Sequence, residues 1–204
     1  MKLFYSAGSC SLSPHIALAE SGLAFELEAV NLRVSPHTTA SGVEYASVNP
    51  KGYVPALLLD SGDVLSEGVA IVQYIADQVP DKHLAPANGT FERYRLQEWL
   101  NFIATEIHKG FGPLWNPATP EALRAAALKR LESRFDVLQS TLSASNYLLG
   151  GFSVADGYLF TCLNWTSFHN VSLDRWPALQ AFMTRVGARP AVQAAMKAEG
   201  LFGD

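Results

Sequence analysis

The chain has 204 residues, enough to bury a core without disulfide or metal staples, so a disulfide-stapled or zinc-stapled miniature is excluded. Hydrophobic residues make up 49% and charged residues 17%, against about 25% charged in ordinary soluble chains, which excludes a disordered polyelectrolyte. With 15 Lys and Arg against 19 Asp and Glu the net charge is -4, so the counterion-release drive for nucleic-acid binding is missing.

Apolar runs such as Ala56 to Leu59 and Ala70 to Ala76 fall far short of the roughly 18 residues of a membrane span, so no membrane partner is expected. The opening Met1-Lys2-Leu3-Phe4-Tyr5-Ser6 turns polar before a secretory apolar region develops. Cys10 and Cys162 are too few for a disulfide framework. Together these features predict a cytoplasmic protein with reduced thiols.

Lys2 to Tyr5 reads as a strand, and the segment running through Pro14 to Glu20 as a helix stopped by Ser21-Gly22. Glu26 to Leu32 has the alternation of a second strand, so the first unit is β-α-β with parallel strands. After a polar loop, Ala56 to Leu59 and Val64 to Ser66 join through Asp60-Ser61-Gly62-Asp63 as an antiparallel hairpin, and Val69 to Gln78 forms a helix closed by Pro80. This is the element order of a thioredoxin-like layer. Residues 79 to 90 carry two prolines and a glycine with no period, the composition of a linker. Beyond it the 3.6-residue period predicts helices over Phe91 to His108, Glu121 to Leu142, Val154 to Asn164, Ala178 to Arg185 and Ala191 to Glu199. The predicted class is α/β plus all-α: a thioredoxin-like domain over 1–80, a linker over 81–90 and a helix bundle over 91–204.

Cys10 lies in Ser9-Cys10-Ser11-Leu12-Ser13-Pro14, at or just ahead of the first helix, where unpaired amides and the helix dipole favour a thiolate. A lone cysteine is more often a small buried filler, but its position argues for chemistry. The Cys-x-x-Ser spacing offers no resolving thiol, so exchange would need an external one. Cys162, among Leu159, Phe160, Leu163 and Trp165, reads as core. Val54-Pro55 precedes the hairpin, where such a layer commonly holds a cis proline that frees the preceding backbone for an extended peptide. From the residues alone, an ordinary trans proline at an edge strand is the plainer reading. Glu67-Gly68 opens the next helix: bare amides there suit a carboxylate and Glu67 an ammonium, while a plain helix-start acid fits equally well. At about 100° per residue, Leu96, Trp99, Leu100, Ile103 and Ile107 share one helix stripe, and Asn101, Thr105 and His108 lie within about 60° of one another opposite it. That polar face is either solvated or lines a cleft, and Lys109 adds positive charge beside it. Ser153 to Asp156 fits a capping box, a structural feature.

Taken together, MKLFYSAGSCSLSPH, VNPKGYVPALLLDSG, LSEGVAIVQYIADQVP, EWLNFIATEIHKGF and SVADGYLF resemble bacterial beta-class glutathione transferases over essentially the whole chain. The resemblance implies a homodimer that conjugates glutathione, its co-substrate, to small hydrophobic electrophiles in detoxification, without a metal. Position by position, Cys10 matches the cysteine facing the glutathione sulfur, Val54 with a cis Pro55 the clamp on its cysteinyl unit, and Glu67-Gly68 the γ-glutamyl site. Asn101 matches a residue that reaches the neighbouring subunit's glutathione, and Thr105, His108 and Lys109 match the helical wall near the thiol. His108 and the first-helix amides are the implied stabilisers of the thiolate. His37 aligns with a lysine that contacts the glycyl end, in a longer loop. Phe111, Trp115, Trp165 and Phe168 imply an apolar acceptor pocket. Two alternatives stay open. One is thiol transfer or reductive dehalogenation through a Cys10 mixed disulfide. The other is a non-catalytic glutathione-transferase-like binding protein, against which the joint presence of Cys10, Glu67 and His108 argues.

Overall fold

The structure, a computed structural model, describes residues 1–201. They divide into two compact units, one formed by Met1–Ala85 together with the chain from Arg189 onward, the other by Pro86–Ala188.

The first unit contains β1 (Lys2–Tyr5), α1 (Leu12–Ser21), β2 (Glu26–Asn31), β3 (Thr38–Thr39), β4 (Ala56–Leu58), β5 (Val64–Ser66) and α2 (Gly68–Gln78). Its sheet runs β3-β2-β1-β4-β5, with β1 parallel to β2 and every other pair antiparallel. The expected β-α-β unit and hairpin are present; β3, only two residues long, lies inside what reads as a polar loop. Alternation along β1 sends Leu3 and Phe4 to opposite faces. Leu3 pairs across the sheet with Leu57, and both are fully buried. Phe4 joins Val30, Tyr45, Val54 and Ala56 in a second apolar cluster, so the sheet is covered on both sides. Gly62, at φ 92°, closes the β4–β5 turn, with Leu59 and Asp63 paired across it.

The last helix, α8 (Pro190–Ala198), belongs to this unit and packs on α1. Arg189 forks onto both carboxylate oxygens of Glu20 at 2.6 and 2.9 Å. Glu199, at the end of α8, is buried; its Oε1 lies 2.8 Å from His15 Nδ1 and its Oε2 accepts the Gly8 N–H at 2.9 Å. The sequence-based division put 91–204 in one helical domain. The structure differs from Arg189 onward, because the amphipathic stripe of α8 shows only that the helix needs an apolar partner and these polar contacts select α1.

In the second unit, Thr90 caps α3 (Phe91–Phe102) by accepting the Arg93 N–H at 3.2 Å. The predicted helix to His108 does not stay α-helical: Ile103–His108 is a π-helical turn, followed by a 3-10 turn over Lys109–Phe111 and the short α4 (Gly112–Trp115). Then come α5 (Glu121–Ala144), α6 (Val154–Phe168) and α7 (Pro177–Gly187). Helix α6 is buried on nearly every side, the pattern of a helix at the centre of its unit. The capping box forms: the Ser153 N–H and hydroxyl both donate to Asp156 Oδ2, at 2.9 and 2.8 Å, and the Leu148 N–H donates to Oδ1 at 2.9 Å. Burial pushes the Asp156 carboxyl up to about 6 in spite of these donors.

Candidate functional site

In the first unit, Cys10 sits one residue before the Ser11 cap of α1, partly exposed. The loop before it is tied down from within. Ser11 Oγ accepts the Ser6 N–H at 3.1 Å and donates to the Ser6 carbonyl at 3.2 Å, and Ser9 Oγ lies 2.8 Å from it. Cys10 Sγ donates to the Val54 carbonyl at 3.5 Å. The Val54-Pro55 bond is cis, as the resemblance predicts, and Pro55 Cγ would lie 3.7 Å from a Cβ placed on Gly68. Thiol, extended backbone and helix start are therefore contiguous.

Glu67 precedes α2 with φ 71°, a left-handed conformation that costs a non-glycine residue about 1–3 kcal/mol and concentrates at functional positions. Its carbonyl accepts the Ala70 and Ile71 N–H groups, which launches the helix. Glu67 Oε1 is already engaged, accepting from Lys51 Nζ at 2.7 Å and from Tyr53 OH at 2.6 Å. Those bonds raise both the Lys51 and the Tyr53 pKa. A ligand ammonium at this carboxylate would thus share it with Lys51. His37 is partly exposed and its Nδ1 lies 2.7 Å from the Val34 carbonyl, a local turn contact.

In the second unit, the π turn carries Thr105 and His108 and ends just before Lys109. The 100° spacing that grouped Asn101, Thr105 and His108 does not hold through a π turn, which adds a residue per turn. Asn101 and Thr105 are exposed, and the Thr105 hydroxyl donates to the Asn101 carbonyl at 3.0 Å. His108 is mostly buried instead, its Nδ1 2.7 Å from Tyr158 OH and its ring edge-on to Trp165 at 4.9 Å. Burial, aided by the Lys109 charge, pushes the imidazole down to about 4, so it is neutral at neutral pH. Its contribution to anion binding is therefore a hydrogen bond and not a charge. Glu106, between these residues, is held by Arg130 at 3.0 Å and Arg134 at 2.6 Å, and these guanidinium groups lower its pKa. Trp165, Trp115 and Phe111 form edge-on pairs, and Trp115 and Phe168 remain half-exposed. Cys162 is fully buried, as its neighbours predict.

Sequence reasoning missed four contributors: Lys51, Tyr53, Tyr158 and Glu199. Lys51 and Tyr53 precede the Val54 clamp in VNPKGYVPALLLDSG and Tyr158 follows the capping box in SVADGYLF, so proximity to a predicted feature was their only signal. Glu199 has none, since it reaches Gly8 across 191 positions of sequence.

The fold and this half-thiol, half-peptide constellation agree with what the chain is similar to. Residues 7–78 match the N-terminal domain family of glutathione S-transferases and residues 102–190 the C-terminal domain family. A glutathione S-transferase GstA of Escherichia coli O157:H7 is 47% identical over 202 residues, covering 98% of this chain and 100% of that protein. A solved ternary complex of BphK, a bacterial glutathione transferase, is 57% identical with a TM-score of 0.96, over 98% of this chain and 100% of that one. The bacterial beta-class enzyme of Sphingomonas chungbukensis is 45% identical with a TM-score of 0.95, over 99% and 100%. The chain belongs to the glutathione S-transferase family, and within it resembles the bacterial beta class.

Proposed function

We propose that this protein binds glutathione and conjugates its thiolate to small hydrophobic electrophiles. The observation that carries this reading is the continuity of Cys10, the cis Val54-Pro55 segment and Glu67-Gly68. An extended γ-glutamyl-cysteinyl ligand needs those three things in that order: a site for its thiol, backbone for its peptide, and an acid with helix amides for its amino-acid end. Glu67 takes the ammonium and the first amides of α2 take the carboxylate. Cys10 lines the site near the ligand sulfur, which is itself the nucleophile. Thr105, His108 and Lys109 belong to the reading as the wall that stabilises the thiolate, His108 as a neutral donor. His37 contacts the glycyl end, and the exposed Trp115 and Phe168 offer an apolar surface to the electrophile. The working protein is a cytoplasmic homodimer in which Asn101 reaches the glutathione of the neighbouring subunit; its role is detoxification. No helix among the described residues is long and apolar enough to cross a membrane.

Retention on immobilised glutathione, with elution by free glutathione, tests the binding step. Passage of the folded protein through the column, together with no heat of binding by calorimetry, would refute it. Sedimentation at micromolar concentration tests the dimer; a monomer with undiminished glutathione affinity would remove Asn101 from the site.

A further inference from the structure

We propose that Tyr158 is a positioning residue for His108: its hydroxyl donates to Nδ1, which keeps the imidazole proton on Nε2 and makes His108 a hydrogen-bond donor and not a base. This deepens the proposed function, and rests on it only for the use to which the Nε2–H is put.

Three observations within the second unit carry it. The first is the contact itself, 2.7 Å between His108 Nδ1 and Tyr158 OH, with the two rings edge-on at 88°. A phenol hydroxyl is a stronger acid than a neutral imidazole N–H, and an imidazole nitrogen is a better acceptor than a phenol oxygen. The O–H to N arrangement is therefore the stronger of the two possible ones. The second is that Tyr158 and Trp165 stand seven residues apart on α6, two helical turns, so that one face of α6 presents both rings to the imidazole. Tyr158 is itself 5% exposed and Trp165 3%, which leaves neither ring room to swing away. The third is the π turn: it delivers His108 to this face and is pinned by the Arg130 and Arg134 contacts of Glu106. Because burial keeps the imidazole neutral at neutral pH, the site of its single proton decides its chemistry. A proton on Nδ1 would leave Nε2 as a lone-pair base; a proton on Nε2 offers a donor, the group that stabilises a thiolate already formed. Tyr158 thus acts through His108, as an orienting group acts through a catalytic histidine.

The test uses the full chain labelled with 15N in its histidines, at neutral pH and without glutathione. The protonated and unprotonated ring nitrogens of a neutral histidine differ widely in 15N shift, and the His108 signals are identified by their loss in His108→Asn. The expected result is a protonated Nε2 and an unprotonated Nδ1; a protonated Nδ1 overturns the proposal. In Tyr158→Phe the His108 signals should move toward tautomer exchange, and kcat should fall about tenfold while KM for glutathione changes less than about twofold. Wild-type 15N shifts for His108 in Tyr158→Phe would overturn the proposal as well. A wild-type chain with the Nε2–H tautomer but no conjugation would support the tautomer assignment and refute the proposed function, so the two failures are distinct.

Discussion

Replacing Asp156 with alanine removes the acceptor that closes the start of α6, the helix around which the second unit is packed. The carboxylate is fully buried and accepts from the Leu148 N–H, the Ser153 N–H and the Ser153 hydroxyl. Alanine leaves two buried backbone donors unpaired, each costing about 1–3 kcal/mol, while relief of a buried charge offsets part of this. A net loss of about 3 kcal/mol lowers Tm by about 6–12 °C for a chain of this size. The effect depends on pH with a defined sign. The folded Asp156 carboxyl is raised from 3.8 to about 6, so its contribution to stability is greatest below 3.8 and is lost as pH rises to 6. The stability gap between wild type and Asp156→Ala should therefore widen as pH falls from 6 to 3.8, by up to about 3 kcal/mol. Thermal unfolding followed by circular dichroism across this range reads both quantities. A Tm shift below about 2 °C at neutral pH would refute the hydrogen-bond argument, and a gap that narrows on acidification would refute the sign.

His108 gives the opposite pH signature. Its pKa falls from 6.5 to about 4 on folding, so its contribution is complete above 6.5 and is lost as pH drops to 4. Any stability gap between wild type and His108→Asn should shrink over that window, by about 3 kcal/mol at most; a gap that grows would contradict the burial. Glu67→Gln should raise KM for glutathione more than it lowers kcat, by the equivalent of about 1.5–3 kcal/mol, because an ammonium is held equally in ground and transition states. Unchanged glutathione affinity would show that the carboxylate serves only Lys51 and Tyr53. Cys10→Ala should keep much of the conjugation rate and lose any thiol exchange, and mass spectrometry of oxidised wild type should find a single glutathione adduct, on Cys10. A folded, glutathione-binding Cys10→Ala with no conjugation would make Cys10 essential to that chemistry.

Local pattern carried the first unit well, since alternation in Glu26 to Leu32, the Asp60 to Asp63 turn and the Ser21-Gly22 stop act through neighbours in sequence. Thr38–Thr39 escaped because two residues have no readable period, and the strand is defined by its pairing with Val30 and Asn31 on one side and the Thr38–Glu44 bridge on the other. The π turn escaped for a different reason. The β-branched Ile and Thr of Ile-Ala-Thr-Glu-Ile-His weaken an α-helix only slightly and give no sign of a wider turn, which is tied to Arg130 and Arg134 on α5. That shift is why His108 parts company with Asn101 and Thr105 and lies half-embedded against α6. Likewise Cys10, Val54 and Glu67 were legible from their places beside strands and helix starts, whereas Lys51 on Glu67 and Glu199 on Gly8 depend on side-chain reach.

Glutathione conjugation is read from the initial rate of thioether formation from glutathione and a chloronitrobenzene, followed by absorbance and by mass of the product, for wild type and His108→Ala. Wild type should turn over saturably, with kcat reduced about tenfold to a hundredfold in His108→Ala, as for one lost donor to a developing anion. A folded wild-type protein that binds glutathione yet forms thioether no faster than free glutathione does in buffer would contradict it.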